Sequence, residues 1–206
     1  MVTIEKRNFA KTRKGEEAHI YRCVEENGIG FEISDFGATL LGVFVPDKDG
    51  NTLQIEYNAY TDKDTLCSIT NHTYFNLNGT GNVLNHTLTI YSDEFTESNK
   101  YCFPNGNILS VEGTPLDFRE GKRIGQDILS DYEQVKWYGG YDNNFVIRDY
   151  NGDDVPKKVA RVVGDKSGII LICESTLPGV QLYTENSIEG TIGKKGYRMN
   201  NHDGFC

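Results

Sequence analysis

Turn-forming pairs recur so often along this chain that a long helix has nowhere to run. Asp49-Gly50-Asn51, Asn78-Gly79, Asn105-Gly106, Asn151-Gly152 and Pro178-Gly179 each interrupt the sequence. Asn, Asp and Gly adopt the positive-φ conformations that tight turns require, so each pair reads as a chain reversal. Between the turns the apolar residues recur with a period of two. Leu53, Ile55, Tyr57 and Ala59 do so, as do Leu88 and Ile90, and Val159, Arg161 and Val163 alternate against their neighbours. That period belongs to strands with one packed and one wet face. Residues 169–173, an unbroken apolar run, read as a strand buried on both faces. The best helical pattern lies within residues 122–135, where Ile124, Ile128, Leu129 and Tyr132 fall near one face. Gly125 interrupts it, so one or two turns are expected. Many short strands and few helices point to an all-β fold, a sandwich or a barrel.

A chain of 206 residues fits one domain spanning 1–206 and is long enough to bury a core without disulfides. Its net charge of −9 repels phosphate backbones, and the densest basic stretches, 11–14 and 194–198, are short, so nucleic acid is not an expected partner. The longest apolar run is far below the ~20 residues of a spanning helix, so no membrane partner is expected either. The charged N-terminal residues leave no apolar signal-peptide core. Five cysteines, odd in number and without a CxxC pair, indicate neither a zinc site nor a disulfide framework. A cytoplasmic location fits these features.

Three segments could carry chemistry. His72 lies in Thr70-Asn71-His72-Thr73-Tyr74-Phe75-Asn76-Leu77-Asn78-Gly79, where polar groups alternate with aromatics. An imidazole titrates near neutrality and suits proton transfer. His19 and His86, in strand-like segments, read as structural, and His202 as a loop residue. Asp142, in Gly140-Tyr141-Asp142-Asn143-Asn144-Phe145, is either a turn residue or a carboxylate that accepts bonds from ligand hydroxyls. Gln181, between Val180 and Leu182, is either the wet face of a strand or a side-chain amide able both to donate to and accept from hydroxyls. Gly190-Thr191-Ile192-Gly193-Lys194-Lys195 lacks the spacing and the Ser or Thr of a phosphate loop, and Gly28-Ile29-Gly30 lacks the third glycine of a dinucleotide fingerprint. No cofactor and no metal are expected.

Taken in order, several segments resemble the aldose 1-epimerase (galactose mutarotase) family. They are Ile33-Ser34-Asp35-Phe36-Gly37-Ala38-Thr39-Leu40, Thr61-Asp62-Lys63-Asp64-Thr65, the His72 segment, Gly113-Thr114-Pro115-Leu116-Asp117-Phe118-Arg119, Tyr141-Asp142-Asn143-Asn144-Phe145 and Gly179-Val180-Gln181-Leu182-Tyr183-Thr184. The resemblance implies an antiparallel β-sandwich of the galactose mutarotase-like type, here incomplete. It also implies cofactor-free interconversion of the α and β anomers of aldohexoses such as galactose and glucose. A base takes the proton of the anomeric hydroxyl, an acid protonates the ring oxygen, and the ring opens, rotates and recloses. Carried over residue by residue, the acid is His72, and Asp142 and Gln181 hold sugar hydroxyls. In the family the base is a glutamate shortly beyond a G-F-C-type segment, and this sequence ends at Gly204-Phe205-Cys206. An expected family block with an Asn-Arg pair and an L-H-G-G segment is missing near 51–53. Glu174, Glu185 and Glu189 match no family motif. The resemblance therefore leaves two expectations: an epimerase that acts on a small-molecule aldohexose, or a shortened, inactive homologue that binds carbohydrate.

Overall fold

In the computed structural model all residues are described except 27, 36–39, 45–53 and 194–195. The expected gap near 51–53, the Asp49-Gly50-Asn51 turn, Leu53, part of the 33–40 segment and the Lys194-Lys195 pair lie outside the described residues. The chain divides into two compact units, Met1–Asn71 and His72–Cys206.

The first unit is an antiparallel meander of β1 (Val2–Lys11), β2 (Glu17–Glu25), β3 (Gly30–Ser34) and β4 (Leu40–Phe44), paired in that order. His19 sits on β2, where its amide and Nδ1 meet the two oxygens of Asp35 at 2.7 and 2.9 Å. That is the structural role expected of a strand histidine. Residues 54–60, whose alternation suggests a strand, are exposed coil. Alternation yields a strand only where a neighbouring edge supplies the ladder bonds, and none pairs with them among the described residues.

The second unit holds two four-stranded antiparallel sheets. Its strands are β5 (Thr87–Ile90), β6 (Glu94–Ser98), β7 (Pro104–Ser110), β8 (Lys122–Arg123), β9 (Asp142–Val146), β10 (Lys157–Val163), β11 (Ile170–Ser175) and β12 (Gly179–Tyr183). One sheet runs β11-β10-β5-β8 and the other β12-β9-β6-β7. Leu88, Ile90 and Val162 of the first and Phe95, Phe145 and Leu182 of the second share a single core. This is the sandwich that the alternating pattern implies: each strand gives one face to the partner sheet. Phe118 lies edge-on to Tyr141 and Phe145, with ring centres 5.1 and 6.4 Å apart. Burial of aromatic rings of this size stabilises a fold by roughly 1.5–3 kcal/mol each.

Three local expectations need correcting. Residues 169–173 are not buried on both faces: Ile170 and Ile172 are half exposed, while Leu171 and Cys173 face inward. The reason is the sandwich itself: one face of β11 packs toward the partner sheet through Leu171, and the other is left open. Asn105-Gly106 lies inside β7 rather than at a turn; the reversal comes earlier, at 99–103, where Asn99 N–H donates to Phe103 O at 2.9 Å. The helical pattern of 122–135 resolves into a 3₁₀ turn at Ile124–Gln126 and a short helix, α1 (Glu133–Tyr138), capped by Gly139 at φ 67°. Gly125 gives its N–H to Leu84 O at 2.7 Å instead of to a helical carbonyl, and a Cβ there would stand 2.9 Å from the Leu84 Cβ.

Candidate functional site

Strand β9 begins where a buried anchor ends. Tyr141 is fully buried; its ring fills the core and its N–H donates to Thr184 Oγ1 at 3.0 Å. Gly140 makes room for this, at φ 153°, because a Cβ there would strike the Asn186 side chain. Along β9 the residues alternate, so Asn143 and Phe145 point inward with Tyr141, while Asp142 and Asn144 face the other way. Strand β12 pairs antiparallel with β9, placing Tyr183 opposite Asp142 and Gln181 opposite Asn144. Val180 and Leu182 pack toward the core, which leaves Gln181 and Tyr183 on the face that carries Asp142. Gln181 Nε2 donates to Asp142 Oδ1 at 2.8 Å. The other carboxylate oxygen, Oδ2, lies 3.7 Å from Cys102 Sγ.

Aromatic contacts carry this face to His72. The Tyr183 ring meets Tyr74 edge-on at 6.2 Å between centres, and Tyr74 stacks with the His72 imidazole at 5.3 Å. The imidazole itself is exposed. Phe75 holds the segment in place through paired backbone bonds with Phe205, 2.7 and 3.0 Å long. Cys206 pairs in the same way with Tyr183, at 2.9 Å in both directions. Burial pushes the Cys206 thiol up to about 11, and burial with Cys206 and Tyr183 nearby raises the Tyr74 phenol to about 12. Both are thus neutral groups at ordinary pH. The structure brings His72, Asp142 and Gln181 together on one polar and aromatic surface. Tyr74 and Tyr183, which link them, stand inside the segments singled out above, and Cys206 in the G-F-C-type segment, whereas nothing local in the sequence marks Cys102.

Glu185 is the carboxylate closest in sequence to this surface. It is 2% exposed, and burial, followed by the charge of Asp203, raises its pKa against a lowering by the Gly204 N–H. A group so enclosed does not touch a bound sugar. Glu174 and Glu189 are exposed. His86 is also enclosed: Leu77 N–H donates to its Nε2 at 3.0 Å, so the ring proton sits on Nδ1 and faces Asp165 Oδ1 at 3.0 Å. Its tautomer is fixed by structure, as expected of a satisfied core histidine. His202 lies in a turn at φ 66°, with Nδ1 2.8 Å from Thr184 O. An apolar cavity of about 90 Å³ opens between the sheets, lined by Leu171, Val180, Leu182 and Phe205, with Gln181 among its walls. Among the described residues no cluster of His, Cys, Asp or Glu is placed to hold a metal ion.

What this surface offers is an exposed imidazole and an oriented carboxylate–amide pair, with the Tyr74 and Tyr183 rings between them. An aromatic face packs against the C–H face of a sugar, and the carboxylate–amide pair suits its hydroxyls. The chain is also similar to known proteins. The aldose 1-epimerase family profile matches residues 48–206. Galactose mutarotase of Bos taurus is 37% identical over 161 residues, covering 77% of this chain and 45% of its own. Aldose 1-epimerase of Escherichia coli (strain K12) is 37% identical over 144 residues, covering 69% and 41%. The chain therefore spans about half the length of the curated relatives it matches. The solved structure of galactose 1-epimerase from Lactobacillus acidophilus NCFM superposes with a TM-score of 0.71 at 18% identity, covering all of this chain and 89% of that one, a likeness of fold. By sequence and fold together, the chain belongs to the aldose 1-epimerase family.

Proposed function

We propose that the protein interconverts the α and β anomers of an aldohexose such as galactose or glucose, acting in the cytoplasm. His72 supplies the proton to the ring oxygen, while Asp142 and Gln181 hold sugar hydroxyls. The observation that supports this is the chain of contacts itself: the 2.8 Å Gln181–Asp142 bond, Tyr183 opposite Asp142, Tyr74 against Tyr183 and His72 stacked on Tyr74. Protonation of the ring oxygen weakens its bond to the anomeric carbon, so the ring opens to the aldehyde as a base, here water, takes the proton of the anomeric hydroxyl. Rotation about C1–C2 and reclosure reverse both transfers. One specific observation favours a second reading, sugar binding without epimerisation. Glu185, the carboxyl beside the cluster, is too enclosed to take the hydroxyl proton.

The decay of optical rotation of fresh α-galactose tests both. If His72 is the acid, His72→Ala removes on the order of 10²–10⁴-fold of the protein-catalysed rate, the usual worth of a positioned general acid. An equal rate in wild type and His72→Ala would refute that role. Galactose binding with no rate above buffer would establish the second reading.

A further inference from the structure

Asp142 can grip a hydroxyl group only if its carboxylate is held in one place, and the elements that hold it converge on α1. Gln134, in the first turn of α1, is 4% exposed, and its Oε1 accepts from Ser98 N and Ser98 Oγ, both at 3.2 Å. A longer contact, 3.4 Å, reaches Oε1 from Asn143 Nδ2. Asn143 is 1% exposed, and its Oδ1 in turn accepts from the backbone N–H of Asp142 at 3.2 Å. One buried amide thus ties β6 to the residue that follows the carboxylate.

A second arm leaves α1 at its other end. The Tyr138 hydroxyl donates to Asn99 O at 2.7 Å and lies 2.7 Å from Ser98 Oγ. Ser98 and Asn99 open the reversal at 99–103, which Asn99 Oδ1 tightens by accepting from the N–H groups of Tyr101 and Phe103 at 2.9 and 3.3 Å. At its apex Cys102 takes φ 62°, a left-handed conformation that a residue with a side chain holds only under constraint. That conformation sets Sγ 3.7 Å from Asp142 Oδ2. A six-residue helix has little stability of its own, so these bonds and its packing are what place it.

We propose that Gln134 is a positioning residue for the sugar site, fixing the Asp142 carboxylate through Asn143 and, with Tyr138, through the Cys102 turn. The proposal rests on the reading that Asp142 holds a sugar hydroxyl. Gln134 itself touches no substrate; it works by removing the freedom of a group that does.

The test compares Gln134→Ala with Gln134→Glu, which keeps the Oε1 acceptor, in uniformly ¹⁵N-labelled protein. Two quantities are read: the side-chain amide resonances of Gln181, which report its bond to Asp142, and the galactose dissociation constant from a titration. Gln134→Ala should move the Gln181 amide and weaken galactose on the order of tenfold, the equivalent of one well-oriented hydrogen bond. Gln134→Glu should restore both. A folded Gln134→Ala protein with an unmoved Gln181 amide and unchanged galactose affinity would overturn the proposal. Should Gln134→Ala fail to fold, Tyr138→Phe, which deletes one hydroxyl, carries the test: the same shifts, smaller, are expected, and their absence overturns it. Wild-type protein that binds no galactose would refute the reading of Asp142, and the Gln181 amide alone would then decide whether Gln134 positions the carboxylate.

Discussion

Glu185 shows how a single residue can work against its fold. Its carboxyl is enclosed, the charge acting on it most is that of Asp203, of the same sign, and one backbone N–H, from Gly204, favours its ionised form. Gly204 allows even this, since a Cβ there would stand 3.1 Å from Oε2. The folded pKa lies above the ordinary 4.5, so between the two values the folded state binds more protons than the unfolded chain. Stability is fully present below the unfolded pKa. It falls as pH rises through 4.5 toward the folded value and stays lower beyond it. Glu185→Gln removes this dependence. Thermal unfolding of the two proteins should coincide at the acid end and diverge as pH rises, with the variant the more stable at pH 7. A gap that widened toward acid instead would mean that the carboxylate is stabilised where it lies.

Strand β11 carries the same lesson at the scale of an element. Its inner face meets the core through Leu171, and its outer face, Ile170 and Ile172, is half exposed at the end of the sheet. Ile172→Thr should therefore change stability by no more than about 0.5 kcal/mol, whereas Leu171→Ala should cost roughly 1–3 kcal/mol, as read from urea unfolding. Comparable losses would place both faces in the core. The sequence shows β11 as a strand, because an apolar run of β-branched residues between turns has few alternatives. It does not show which face is covered, since that depends on where the partner sheet lies. Residues 54–60 fail for the same reason: alternation is local, and pairing is not. The sites follow the same division. His72, Asp142 and Gln181 were legible because each lies in a segment whose residue types are themselves distinctive. Gln134, Cys102 and Tyr138 were not, because their significance lies in contacts made across 36 to 40 residues of chain.

Across the whole molecule, the second unit, His72–Cys206, contains both sheets of the sandwich, α1 and every residue of the candidate site. Membership of the aldose 1-epimerase family and the position of these side chains support the central proposal that His72, Asp142 and Gln181 engage one sugar as a single site. The direct measurement is a galactose titration of ¹⁵N-labelled protein, following the His72 ring and the Gln181 side-chain amide together. If the account holds, both sets of resonances move along one binding curve with one dissociation constant, and Asp142→Asn abolishes both movements while leaving the rest of the spectrum folded. Movement of one without the other, or a curve that survives Asp142→Asn unchanged, would contradict it.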